Sequence, residues 1–190
     1  MSYYEVLLFL HIGAAAIWLG AATFFFVLFQ RAKQARDPVL AERLGAHVEW
    51  LAKRFFVPTS LAVLVLGILL TIEGPWSFDQ LWILLGLVGI ATTFVLGVGV
   101  IEPTTKRMHA AIDAHGPEHP QVARYGRRLD ALGVVDLALL ASIVWVMVFK
   151  PSTDELGTLV IPALALAAAA IVAARAYRGG APEAAAATTS

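Results

Sequence analysis

Two ionisable side chains, His11 and Asp136, lie deep inside long apolar runs of this sequence. On insertion scales a charge at the centre of a bilayer costs roughly 2.5–3.5 kcal/mol, so a chain that keeps such a group there has a use or a partner for it. A neutral imidazole can ligate haem iron or copper, and a buried carboxyl can relay a proton or hold an ion. At a helical rise of about 1.5 Å per residue, His11 falls about 10 Å to one side of the midpoint of its run, and Asp136 about 6 Å to the opposite side of its own. The vertical gap is then roughly 15 Å, too far for a direct pair. Two separate stations are expected.

Helical spacing puts His11 on one face with Tyr4, Leu8, Ala15, Trp18 and Ala22. That face is small-residued with one large aromatic, which suits a bundle interior and a flat ligand lying against Trp18. Thr71, Met147 and Thr158 fall at the same depth on other runs. His with Met is an axial pair for haem, and imidazole with thioether suits Cu(I). The competing expectation is a hydrogen-bonded interior His, with Met147 as core filler. Near Asp136 in depth lie Ser60, Thr93 and Thr23, whose hydroxyls would satisfy a buried carboxyl. That intramembrane polar cluster serves either proton or ion coupling, or simply structure.

Outside the runs, His109, His115 and His119 share one basic segment, where Gly116-Pro117 keeps His115 and His119 off a common helical face. They are expected to be solvated, as is His47, and not to form a metal site. The chain has no cysteine, which excludes thiolate chemistry and disulfides. No phosphate-binding glycine loop or nucleophile elbow is present.

The elements that must position these groups are transmembrane helices. Of the 190 residues, 59% are hydrophobic and 15% charged, against roughly 45–50% and about 25% in soluble chains. The excess forms five spans near 4–29, 55–73, 80–101, 129–149 and 156–175, each close to the roughly 20 residues a bilayer core requires. No ten-residue stretch alternates polar and apolar, which excludes a β-barrel. Residues 1–178 are expected to be one all-α, polytopic membrane bundle, with a four-helix core and a fifth, Ala-rich transmembrane helix. The low-complexity tail 179–190 is expected to be disordered in the cytoplasm. An amphipathic helix is expected between the first two spans, from Leu40, Leu44, Val48 and Leu51 with Glu42, Arg43 and Glu49 off that face. Pro75, Pro103 and Pro151 read as helix stops, and Pro58 and Pro162 as first-turn prolines.

Of the fourteen Lys and Arg, thirteen fall between spans one and two, between spans three and four, or after span five; Lys150 alone lies on the other side. Positive loops stay in the cytoplasm, so the N-terminus is expected outside and the C-terminus inside, in a bacterial-type plasma (inner) membrane. Tyr3, Tyr4, Trp76, Trp82 and Trp145 fall near the outer boundary, where amphipathic rings favour the headgroups. The first span lacks a basic leader and is expected to be retained. A net charge of zero gives no electrostatic case for nucleic acid; the expected partners are the lipid bilayer and a membrane protein or a second copy. Gly86, Gly89, Gly97 and Gly99 in the third span, with Ala16 and Gly20 in the first, are expected to allow close helix approach.

The segment Leu10-His11-Ile12-Gly13-Ala14-Ala15-Ala16-Ile17-Trp18-Leu19-Gly20 resembles the opening helix of the copper-resistance D (CopD)-like membrane proteins: a His, a Trp seven residues later, a Gly two after that. The first helix of the HemJ-type protoporphyrinogen oxidases is similar, and the likeness extends loosely from Tyr3 to Pro151. It implies a four-helix core with haem b or copper chemistry, and His11 as the haem or metal ligand. The third span has no Lys or His, and the outer loops are not rich in His and Met, so neither enzyme activity nor copper delivery follows. Two functions are therefore expected as alternatives: a protein that binds haem b or copper for electron transfer or metal handling, or a cofactor-free accessory subunit of a membrane complex. A third, a proton-coupled transporter, would use Asp136.

Overall fold

The computed structural model describes residues 2–35, 45, 47 and 50–178. Helix α1 spans Tyr3–Gln34. It starts where Ser2 and Glu5 form a reciprocal capping box: the Glu5 N–H donates to Ser2 Oγ and the Ser2 N–H to the Glu5 carboxylate. A π-helical turn, Ala52–Phe56, leads into α2, Val57–Glu73. Helix α3 is Leu81–Leu96, and a second π-turn, Gly97–Ile101, carries it without a break into α4, Glu102–His115. Helix α5 spans Pro120–Phe149, and α6 spans Val160–Arg178 after a short 3₁₀ turn. No strand occurs among the described residues. Five helical stretches are long and apolar enough to cross a membrane. The amphipathic segment expected around residues 40–51 lies almost entirely outside the described residues, and so does the tail from Gly179.

Pro103 does not stop the third span. The helix runs on to His115, and Pro103 sits just past the Gly97–Ile101 π-turn, as Pro58 sits just past Ala52–Phe56. A proline inside a helix leaves one carbonyl of the preceding turn without its N–H, and its ring crowds that carbonyl. Widening the turn to π geometry relieves the crowding, so the chain bends its ladder instead of ending it. The π-turn exposes its own backbone less because both lie next to polar helix ends.

The four spans α1, α2, α3 and α5 close a ring in which each touches two neighbours, and α6 packs on the outside of α5. This is a four-helix core with a fifth helix flanking it. Neighbours run antiparallel. Down the α1–α2 seam, Tyr4 meets Trp76, His11 meets Gly67, and Phe25 stacks edge-on with Phe56. Down α3–α5, Met147 lies over Gly86 and Ile143 over Gly89. Between α1 and α5, Phe26 lies over Gly133, and Lys33 pairs with Asp130, which also accepts a hydrogen bond from Gln30. Trp18, Val63 and Leu140 form the central apolar cluster. Outward faces carry large apolar side chains such as Phe9, 74% exposed, and Leu164, 65% exposed. In a chain of this hydropathy, that belt is the lipid-contacting surface.

Candidate functional site

His11 projects from α1 toward α2 and is half-buried. It is seated where α2 carries a glycine: its Cε1 lies 3.1 Å, and its Nδ1 3.6 Å, from the point a Gly67 Cβ would occupy. The ring also borders the Val63 backbone one helical turn away. Nδ1 is buried and has no hydrogen-bond partner. Nε2 lies on the edge turned away from Gly67, so one nitrogen is sealed against α2 and the other is not. Thr71, one turn above Gly67, is buried, and its hydroxyl donates to the Gly67 carbonyl. Gly67 was not singled out from the sequence, although a glycine at helical midspan is a signal for close approach.

Trp18 stands on the same face of α1 but is only 9% exposed, packed among Ala14, Ala15, Leu19, Ala22, Phe56 and Ile90. Its ring fills the centre of the bundle. Met147 has the depth expected of it: extending the α1–α5 register sets it opposite residue 12. Its Cε, however, rests on Gly86 of α3. His11 and Met147 are thus held at the same level but at different helix interfaces. Among the described residues no group of three or more His, Asp or Glu converges to hold a metal. For a group taken on a single imidazole, the residues present fit: an interior ring has an orphaned nitrogen on one edge and a free nitrogen on the other. For a His–Met pair, the packing supplies no convergence.

Asp136 lies on α5, half-buried, and has no hydrogen bond or ion pair among the described residues. Ser60 and Thr93 are buried, at 7% and 4% exposure, so they are interior as expected. Their protons are already used: Ser60 Oγ–H donates to Val57 O at 3.0 Å, and Thr93 Oγ1–H donates to Ile90 O at 2.9 Å. Thr23 does the same toward Leu19 O at 2.8 Å. Such bonds one turn back are the local alternative that Ser and Thr find in helices. The Gly89–Ile143 register sets Thr93 level with Leu140, one turn from Asp136. His11, opposite residue 148 by the α1–α5 register, is about 18 Å from Asp136 along the axis. They are two stations.

Two clusters were not anticipated. At the Tyr3 end of the bundle, Trp76 Nε1–H donates to the Tyr4 hydroxyl at 3.1 Å and its ring meets Trp82 edge-on. The Lys150 ammonium lies 4.1 Å from the Trp76 ring centroid and 5.4 Å from that of Trp82. Lys150 closes α5 in the left-handed region, φ 46°, which turns its side chain back over the indoles. At the opposite end the His115 and His119 rings stack, with centroids 4.6 Å apart. The turn that removes them from one helical face brings them together across it, because His119 folds back as the N-cap of α5, its Nδ1 accepting the Gln121 N–H. Stacked rings point their in-plane lone pairs in parallel and do not chelate one ion.

No curated protein matches this chain, and no solved structure does. Residues 5–151 match one family, described as predicted integral membrane protein (DUF2269). The match takes in all four helices of the ring and ends at Pro151, before α6. The chain therefore belongs to this DUF2269 family of predicted integral membrane proteins.

Proposed function

We propose that this protein carries a redox-active group, a b-type haem or a copper ion, on His11, and serves electron transfer or metal handling in the manner the CopD-like resemblance implies. The observation that supports it is the imidazole: it faces a neighbouring helix instead of acyl chains, with Nδ1 buried without a partner and Nε2 left for a ligand. A ligating His is ordinarily steadied from its other nitrogen by a backbone carbonyl or carboxylate, and the Val63 backbone is the group placed to do so here. When bound, the group would supply one-electron chemistry; the chain's part is to orient the ring and to keep water from it. We place the N-terminus outside and the C-terminus in the cytoplasm of a bacterial-type plasma membrane, on the distribution of Lys and Arg. No catalytic role is assigned.

The packing of Trp18 and Met147 favours a second reading, a cofactor-free accessory subunit that acts by contact with a membrane partner or another copy. One measurement separates the two. Protein expressed with haem and copper supplied, then purified in mild detergent, should show a Soret band that shifts on dithionite reduction, or stoichiometric copper. Either signal should vanish in His11→Ala. Colourless, metal-free wild type would overturn the first reading and leave the second. A proton-coupled use of Asp136 predicts that Asp136→Asn abolishes proton flux into vesicles; wild-type flux in that variant removes it.

A further inference from the structure

The basic end of the bundle holds an arginine that neither reading uses. The Arg128 guanidinium carbon lies 4.7 Å from the centroid of the Tyr177 ring, which ties the start of α5 to the end of α6. Its Nε is buried with no hydrogen-bond partner. No carboxylate answers it. The ion pairs among the described residues join Lys33 to Asp130 and Lys106 to Glu102, and no ion pair or hydrogen bond engages Arg124, Arg128 or Arg178. Arg124 lies one turn from Arg128 on the same stripe of α5, about 6 Å along the axis, and Arg178 follows Tyr177 at the end of α6. The apolar run of α5 begins at Ala131 and that of α6 ends near Ala174, so these groups stand at headgroup depth.

A guanidinium stacked on a phenol ring keeps its in-plane N–H groups free, and their fork matches the oxygens of a phosphate. A phosphate at headgroup depth belongs to a lipid. The general excess of Lys and Arg at this end explains positive charge there; it does not explain a half-buried guanidinium wedged between two helices with an orphaned N–H. We propose that Arg124, Arg128 and Arg178, with Tyr177, bind the phosphate of an anionic phospholipid between the basic ends of α5 and α6. Basic pockets between transmembrane helices recognise acidic headgroups in this way. The lipid would bridge α6, which lies outside the family match, to the four-helix ring.

The test uses the full chain in mild detergent, incubated with equal amounts of phosphatidylglycerol and phosphatidylcholine, with bound lipid read by native mass spectrometry. Wild type should retain phosphatidylglycerol selectively, and rising salt should weaken that retention. Arg124→Gln/Arg128→Gln should lower it about tenfold or more, the loss expected for one or more charge-assisted hydrogen bonds, without altering phosphatidylcholine retention. Arg178→Gln, at an exposed site that folding does not need, should lower it to a lesser degree and covers the case in which the double variant fails to fold. Equal retention of the two lipids by wild type, or undiminished phosphatidylglycerol retention in both variants, overturns the proposal. So does inorganic phosphate that displaces the lipid at low millimolar concentration, since the site would then serve a free anion.

Discussion

Gly67→Ala tests whether the seat of His11 matters to what His11 binds. The new methyl would stand 3.1 Å from Cε1 and 3.6 Å from Nδ1. Non-bonded carbons rest at about 3.5–4.0 Å, so the ring must retreat by about 0.4–0.9 Å, or α1 and α2 must part by as much. Overpacking typically costs about 1–3 kcal/mol, and replacing a midhelix glycine by alanine returns roughly 1 kcal/mol. Net stability should therefore fall by no more than about 2 kcal/mol, and the helices should remain assembled. Ligand geometry is less forgiving: a site is held to within about 0.5 Å of its working position. The expected result is a thermal midpoint in detergent lowered by a few degrees, together with weakened loading and a shifted absorbance maximum of any haem or copper bound. Titrating haem or copper into purified variant and wild type, beside His11→Ala as the zero, measures both. Unchanged loading and spectrum in Gly67→Ala, with His11→Ala still unable to load, would refute the claim that α2 positions the imidazole.

Three further outcomes follow from the packing. Gly86→Ala and Gly89→Ala should differ although both put a methyl into the α3–α5 seam: at Gly86 it meets the end of the flexible Met147 chain, and at Gly89 it meets Ile143 Cγ1 at 2.6 Å, which is stiff at χ1. Gly89→Ala should cost about 1–3 kcal/mol and Gly86→Ala close to none, in denaturation by detergent; equal costs would contradict this. Lys150→Ala should lose about 0.5–2 kcal/mol of cation–π attraction, whereas Lys150→Gly loses the same attraction but sheds the roughly 1–2 kcal/mol strain of the left-handed backbone. The glycine variant should melt higher than the alanine one, and the reverse order would show that the φ of 46° carries no strain. Asp136→Leu should raise the thermal midpoint, because the carboxyl has no partner among the described residues; a lower midpoint would reveal a partner it depends on.

The architecture was legible because a bilayer demands long apolar helices and leaves few alternatives. Composition and run length located all five spans, and the ring of four with α6 outside is the expected core plus one. The interior placement of Ser60, Thr93 and Trp18 was legible for the same reason. Lateral position was not. Depth is a one-dimensional quantity that sequence position gives directly, so Met147 was set at the level of His11. Which neighbour a side chain meets depends on rotation about the helix axis and on the order of helices around the ring, and that order placed Met147 on Gly86. Prolines misled for a related reason. At Pro103 the rule that proline ends a helix was overridden by a π-turn, a solution that leaves no local mark beyond Gly97 and Gly99 in the turn itself. The stacking of His115 on His119 was missed because helical-face logic stops at a turn, where the cap geometry of His119 decides the outcome.

The two ends of the ring are closed by different physics, and this bears on how it works. At the Tyr3 end, aromatic rings lock Tyr4, Trp76, Trp82 and Lys150 together, tying α1, the α2–α3 turn and the end of α5. At the basic end the ties are the Lys33–Asp130 pair, both partners partly exposed, and the Arg128–Tyr177 contact. Exposed ion pairs contribute little, typically about 0–1 kcal/mol, and they weaken with salt. Buried aromatic contacts persist. His11 lies within two turns of the aromatic end, where its seat on Gly67 is held firm, whereas Asp136 lies toward the end whose closure depends on charge. A group bound at His11 would thus sit in the rigid half of the bundle, and any opening would begin near Asp136. Hydrogen exchange in detergent should show this asymmetry: amides of α2 near Gly67 should stay protected as salt rises, and those of α5 near Asp130 should exchange faster. Uniform protection along α5 at every salt concentration would mean that the charged end is as firmly closed as the aromatic one.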